Sequence, residues 1–149
     1  MENKSLKDNT TVILCGGKGT RLGSLGKKIP KTLVKVHNKE ILWYILNQLK
    51  IEGFENIILP LGYKGEQIKV FLKKNNNFGL KIITINTGVK TNIGRRLFLI
   101  SNKIKSKNFL LLNGDAIFKE DLKKIYKNHC KNNLGATFLC GEVTYSYGS

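Results

Sequence analysis

The residues Leu14 to Lys31, L-C-G-G-K-G-T-R-L-G-S-L-G-K-K-I-P-K, join a strand-like run to a glycine-rich, basic loop. The run Thr11 to Cys15 (T-V-I-L-C) is short, apolar and β-branched, which suits a buried parallel strand better than a helix. Gly16, Gly17 and Gly19 lack a Cβ and can take positive φ, so successive backbone N–H groups can close around an anion. Arg21, Lys27, Lys28 and Lys31 bring positive charge to the same loop, the composition that a polyphosphate requires. A triphosphate is the natural guest.

Two familiar phosphate loops are excluded. The pattern G-x-x-x-x-G-K-[ST] needs glycine where Arg21 stands and Ser or Thr where Lys28 stands. The dinucleotide pattern G-x-G-x-x-G, started at Gly17, needs glycine at Leu22. What is present is G-G-x-G-T-R-L followed by P-K, and this resembles the signature of the sugar-phosphate nucleotidyltransferases.

Composition bounds the rest. The 149 residues suit one domain, and 41% hydrophobic with 24% charged residues is globular. The formal net charge of +16, from 26 Lys+Arg against 10 Asp+Glu, favours anionic ligands. The lysines are scattered, with no basic stripe interleaved by aromatics, so the charge reads as solvated surface and no nucleic-acid partner is expected. Cys15, Cys130 and Cys140 have neither disulfide-framework nor zinc spacing, and no stretch approaches the length of a membrane span; the expected compartment is the cytoplasm, with no membrane partner. His37 and His129 are isolated, and His129 shares a helical face with Leu122, Ile125 and Tyr126.

Strand-like and helix-like segments alternate along the chain. Thr32 to Val36 reads as an extended piece, and Asn38 to Glu40 opens a helix with Ile41, Leu42, Ile45, Leu46 and Leu49 on one face, ended by Gly53. Asn56 to Leu61 is a second strand, followed by a helix from Glu66 to Lys74; Lys81 to Asn86 is a third. A polar loop, Thr87 to Gly94, leads to a helix over Arg95 to Ser101, and Asn108 to Leu112 is a fourth strand. Phe118 to Asn132 has helical spacing, and a last strand is expected over Ala136 to Val143. This alternation predicts an α/β unit, a Rossmann-like, mostly parallel sheet with helices on both faces. Ligands in such folds sit beyond the carboxyl ends of the strands, where the glycine loop, Thr87 to Arg96, and Asn113-Gly114-Asp115 are all delivered.

Asp115 follows a buried apolar strand and is the candidate ligand for Mg²⁺, which takes one or two protein carboxylates besides phosphate oxygens and water. The plainer reading is an aspartate that caps the next helix. The run L-L-L-N-G-D-A-I-F again resembles the family, whose metal-binding aspartate works with a second one from much later in the chain. Here no aspartate follows Asp121. The loop after the third strand resembles the cytidylyltransferase branch, which carries T-G and then, three residues on, a T-x-T-G-G-R-like run. Thr87-Gly88 and Thr91, Gly94 and Arg96 match, whereas Ile93 replaces a usual threonine and Arg95 a usual glycine.

The resemblance runs from Thr11 to Gly148 but covers about the first half of a typical member. It implies a glycosyltransferase-A-like fold, truncated to a single nucleotide-binding domain over residues 1–149, and the look of a fragment or shortened gene product. It also implies Mg²⁺-dependent transfer of a cytidylyl group from CTP to a sugar 1-phosphate, glucose 1-phosphate first, for surface-sugar biosynthesis, and it admits a homo-oligomer. By the same resemblance Arg21 holds the leaving phosphates, Lys31 the α-phosphate and the attacking phosphate, and Asp115 the metal. Leu14, Cys15, Gly16, Gly17, Lys18, Gly19 and Thr20, with Thr91, Gly94, Arg96 and Gly114, seat the nucleotide. Three alternatives stay open: the same chemistry with another nucleotide and sugar, a non-catalytic nucleotide-binding module, and, on net charge alone, a nucleic-acid binder.

Overall fold

The computed structural model describes residues 6–17, 19 and 23–140, with side chains omitted at 23–25. Four strands form one parallel sheet: β1 (Thr10–Leu14), β4 (Asn56–Leu61), β5 (Lys81–Asn86) and β6 (Phe109–Asn113), in the spatial order β5-β4-β1-β6. Between β1 and β4 come a short helix α1 (Gly23–Lys28), a small antiparallel pair β2 (Lys35–Val36) and β3 (Lys39–Glu40), and α2 (Ile41–Glu52). Helices α3 (Gly65–Lys74), α4 (Ile93–Ile100) and α5 (Leu122–Asn132) follow β4, β5 and β6 in turn.

The register places Val12 beside both Ile58 and Leu111, so the sheet divides into two faces by alternation. Ile13, Ile57, Leu59 and Leu112 face α2, α3 and α5, meeting Leu46, Leu49, Ile68, Leu72 and Leu122 in the main core. Val12 and Ile58 face the other way and pack on Ile100 and Leu97 of α4. The helices thus lie on both faces as expected, but α2, α3 and α5 cover one side and the short α4 covers the other. Phe109 and Leu111 of β6 and Ile83 of β5 remain exposed on that second side.

The chain reverses direction of assembly at β1. Its first two crossovers build β4 and then β5 to one side; the next strand in the sheet, β6, lies on the opposite side of β1. A crevice opens beyond the carboxyl ends of strands that diverge in this way, and ligands occupy it in open parallel sheets.

Several boundaries differ from expectation. Thr32 to Val36 is not one extended piece: Lys31–Leu33 forms a 3-10 turn, and only Lys35–Val36 is strand. Asn38 does not open α2. His37 and Asn38 both take positive φ (46° and 69°) and make the two-residue turn of the β2–β3 hairpin, so the helix begins at Ile41. Its end is as expected, with Gly53 left-handed at φ 88° and Phe54 N–H donating to Leu49 O at 2.9 Å. Helix α5 begins at Leu122 rather than Phe118 because the Asp121 carboxylate accepts from Lys124 N–H at 2.7 Å and caps it. Ala136 to Val143 is not strand over its described part: residues 136–140 are irregular, and 141–143 lie outside the described residues.

Candidate active site

A cavity of about 750 Å³ lies at the carboxyl end of the sheet, and the loops after β1, β5 and β6 all contribute to its wall. Leu14, Cys15, Gly16, Gly17 and Gly19 form one side, Thr91, Asn92 and Arg96 another, and Lys31, Asn113 and Asp115 the third. Lys18, Thr20 and Arg21 lie outside the described residues.

Lys31 reaches this place because Pro30, at φ −68° and ψ 148°, turns the chain into the 3-10 segment, where Leu33 N–H donates to Pro30 O at 2.9 Å. Its ammonium donates to Asp115 Oδ2 across 84 residues of sequence. Lys27 and Lys28 are exposed on α1, away from the wall; their carbonyls accept from Tyr63 Oη at 3.5 Å and Gln67 Nε2 at 3.1 Å. Asp115 does not cap a helix, since Asp121 performs that function for α5. Gly114 is buried beneath the carboxylate, with its N–H donating to Leu14 O at 3.1 Å. A Cβ there would lie 2.7 Å from Leu14 O and from Thr32 Cγ2, so only glycine lets β6 deliver Asp115 this close to β1.

Arg96 carries a role that its sequence match did not reveal. The residue is 4% exposed, and Nη1 donates to Leu61 O at 3.2 Å and to Thr87 Oγ1, while Nη2 donates to Gly16 O at 3.0 Å. One guanidinium therefore ties the ends of β1, β4 and β5 together. Its planar fork spreads its donors over separate nitrogens and so meets acceptors on different segments, whereas a lysine presents its donors from a single nitrogen. Burial lowers its pKa, and no carboxylate pairs with it among the described residues. A Cβ on Gly16 would fall inside the guanidinium, so glycine is required here by Arg96 itself.

Thr91 lines the cavity, and its hydroxyl donates to Thr87 O, holding the loop closed on itself. Asn92 caps α4 by accepting from Arg95 N–H at 2.8 Å. Gly94 is exposed on α4 and does not line the cavity. The cavity also takes in Thr32 and Lys90, which sequence reasoning missed. Thr32 is 5% exposed with its hydroxyl unpartnered among the described residues, and its adjacency to Lys31 was the available signal. Cys15 is buried beside this wall; burial, reinforced by the negative charge of Asp115, raises its pKa and keeps it a thiol. All three cysteines are free.

A single carboxylate on the wall, with no cluster of three or more metal-ligating side chains among the described residues, fits Mg²⁺ carried on phosphate oxygens and water and does not fit an all-protein metal cage. No helix among the described residues is long and apolar enough to cross a membrane.

Comparison with known proteins places these features in context. The profile of the nucleotidyl transferase family matches residues 10–148. The "Probable glucose-1-phosphate cytidylyltransferase" of Bacillus subtilis is 34% identical, covering 93% of this chain and 62% of that protein. The D-glycero-alpha-D-manno-heptose 1-phosphate guanylyltransferase of Campylobacter jejuni is 36% identical over 80% of this chain and 53% of that protein. Among solved structures, HddC from Yersinia pseudotuberculosis complexed with GMP-PN superposes with a TM-score of 0.71 at 31% identity, covering 81% of this chain and 54% of that one. The chain thus spans little more than half the length of these relatives.

Proposed function

The chain belongs to the nucleotidyl transferase family, and on that premise we propose that its cavity binds CTP for cytidylyl transfer to glucose 1-phosphate, giving CDP-glucose and pyrophosphate. The observation that carries this reading is the meeting of the glycine loop, Lys31 and Asp115 in one cavity at the strand ends. The 34% identity to the Bacillus subtilis relative supports the choice of base and sugar.

In this reaction a phosphate oxygen of the sugar attacks the α-phosphorus in line with departing pyrophosphate, so the protein positions reactants and stabilises charge without a covalent intermediate. Lys31 contacts the α-phosphate and the attacking phosphate as a point charge. Backbone groups of Gly16, Gly17 and Gly19 receive the phosphates, with Arg21 on the leaving pair. Asp115 would hold Mg²⁺, which supplies charge neutralisation on the phosphate oxygens when bound. Thr91 and its loop seat the base and ribose, while Arg96, with its guanidinium committed to Gly16 O, Leu61 O and Thr87 Oγ1, keeps that loop against the glycine loop. Residues 1–149 form on this reading one nucleotide-binding domain, a cytoplasmic source of activated sugar for surface glycans.

A second reading, GTP with a heptose 1-phosphate, is favoured by the Campylobacter jejuni relative and by the nucleotide in the Yersinia pseudotuberculosis complex. Calorimetry with CTP, GTP, UTP and ATP in Mg²⁺ separates the two. Tightest binding of CTP is the expected result; tightest binding of GTP would replace the proposal with the second reading.

A further inference from the structure

We propose that the Lys31–Asp115 ion pair is a charge lock, in which each group serves as the other's counter-ion until a metal-bearing triphosphate relieves both at once. This rests on the triphosphate reading above and adds an order to it. The two side chains come from different elements, Lys31 from the turn after Pro30 and Asp115 from the loop after β6, and both line the cavity. The other ion pairs among the described residues lie outside the cavity wall. The Asp115 carboxylate has Lys31 as its one hydrogen-bond donor among the described residues, because the neighbouring Gly114 and Ala116 N–H groups donate to Leu14 O and Asn113 O instead.

The consequence is a coupling between two ligands. A bare divalent cation must displace the ammonium from Asp115 and then sit beside a stranded positive charge, which repels it at short range. A bare triphosphate must draw Lys31 away and face a carboxylate that has lost its cation. When both arrive together, Lys31 passes to phosphate and Asp115 passes to metal, and no charge is left unpaired. The lock therefore discriminates against free metal and free polyphosphate and admits their complex, a coupling free energy between sites with an identified cause.

The test measures Mn²⁺ binding by electron paramagnetic resonance and CTP binding by calorimetry on the 149-residue chain, on Lys31→Gln and on Asp115→Asn, with melting temperatures recorded for each. For the unmodified chain, CTP should tighten Mn²⁺ binding at least tenfold. Lys31→Gln should bind Mn²⁺ alone at least fivefold more tightly than the unmodified chain, with the enhancement by CTP reduced. Asp115→Asn should bind CTP in excess chelator at least fivefold more tightly than the unmodified chain. A folded Lys31→Gln that takes up Mn²⁺ no better than the unmodified chain overturns the lock. Should that variant melt early, an unchanged CTP affinity of Asp115→Asn in chelator overturns it equally. Tightened Mn²⁺ binding in Lys31→Gln together with no binding of CTP, GTP, UTP or ATP by any form would support the lock and retire the triphosphate reading.

Discussion

Lys31 and Lys28 are three residues apart and carry the same charge, yet only Lys31 faces the cavity. Lys31→Ala should weaken binding of Mg²⁺-CTP by roughly 1.5–3 kcal/mol, the range for a charge-assisted hydrogen bond, whereas Lys28→Ala should cost under about 0.5 kcal/mol. Calorimetric titration of both variants decides this, and equal losses would describe a diffuse basic surface. Arg96 acts differently, through the backbone. Arg96→Ala removes the buried guanidinium that bridges Gly16 O, Leu61 O and Thr87 Oγ1, leaving Gly16 O to Tyr63 N–H and Leu61 O to Thr87. It should lower stability by about 3 kcal/mol in urea unfolding, through three lost hydrogen bonds and the void left behind. Arg96→Lys retains the charge but not the fork, and should recover less than half of the loss.

At the level of elements, Asn92 gives the sharpest handle on the loop that lines the cavity after β5. Its side chain accepts from Arg95 N–H at the start of α4. Asn92→Ala should cost about 1 kcal/mol, seen first as faster amide hydrogen exchange across Ile93 to Ile100 and only secondarily as weaker CTP binding. The elements also show which physical signals reach the sequence level. Asn56–Leu61 and Lys81–Asn86 were readable to the residue because each is a short apolar run between polar breaks. The hairpin at His37-Asn38 was not, since left-handed backbone at a histidine is a local choice that composition does not announce. The start of α5 was hidden because Phe118 shares its helical spacing, while the capping Asp121 sets the boundary. A last strand was expected over Ala136 to Val143, but a strand exists only when a neighbour pairs with it, and in its described part, residues 136–140, Phe138 is 84% exposed. In the site, the three loops were legible from strand ends and glycines. The part played by Arg96 was not, because two of its three acceptors are backbone carbonyls that any residue could present.

For the molecule as a whole, the net charge of +16 sets a long-range field on top of the local site. Scattered surface lysines attract RNA through counterion release, with an affinity that falls steeply and linearly in log salt, whereas a triphosphate held in a cavity by a few fixed groups loses much less. Raising salt from 50 to 200 mM should therefore weaken binding of a 20-nucleotide RNA at least 100-fold, on the order expected for several phosphate contacts, but weaken Mg²⁺-CTP binding by under about tenfold. Fluorescence anisotropy and calorimetry in matched buffers read the two. Similar slopes would mean that the cavity gives no protection from screening and that the positive charge acts as a general anion surface.

The strand order β5-β4-β1-β6 carries a consequence for how the chain acquires its pocket during synthesis. Thr10 pairs with Asn56 on one side and with Phe109 on the other, so the first pairing closes a short loop and the second a loop about twice as long, at a higher entropic cost. As the polypeptide leaves the ribosome, β1, β4 and β5 can associate around α2 and α3 while Asp115 is still unmade. The glycine-loop half of the cavity wall then waits on a preformed platform. The wall that carries Asp115 arrives last, with β6 added to three strands that are already in register.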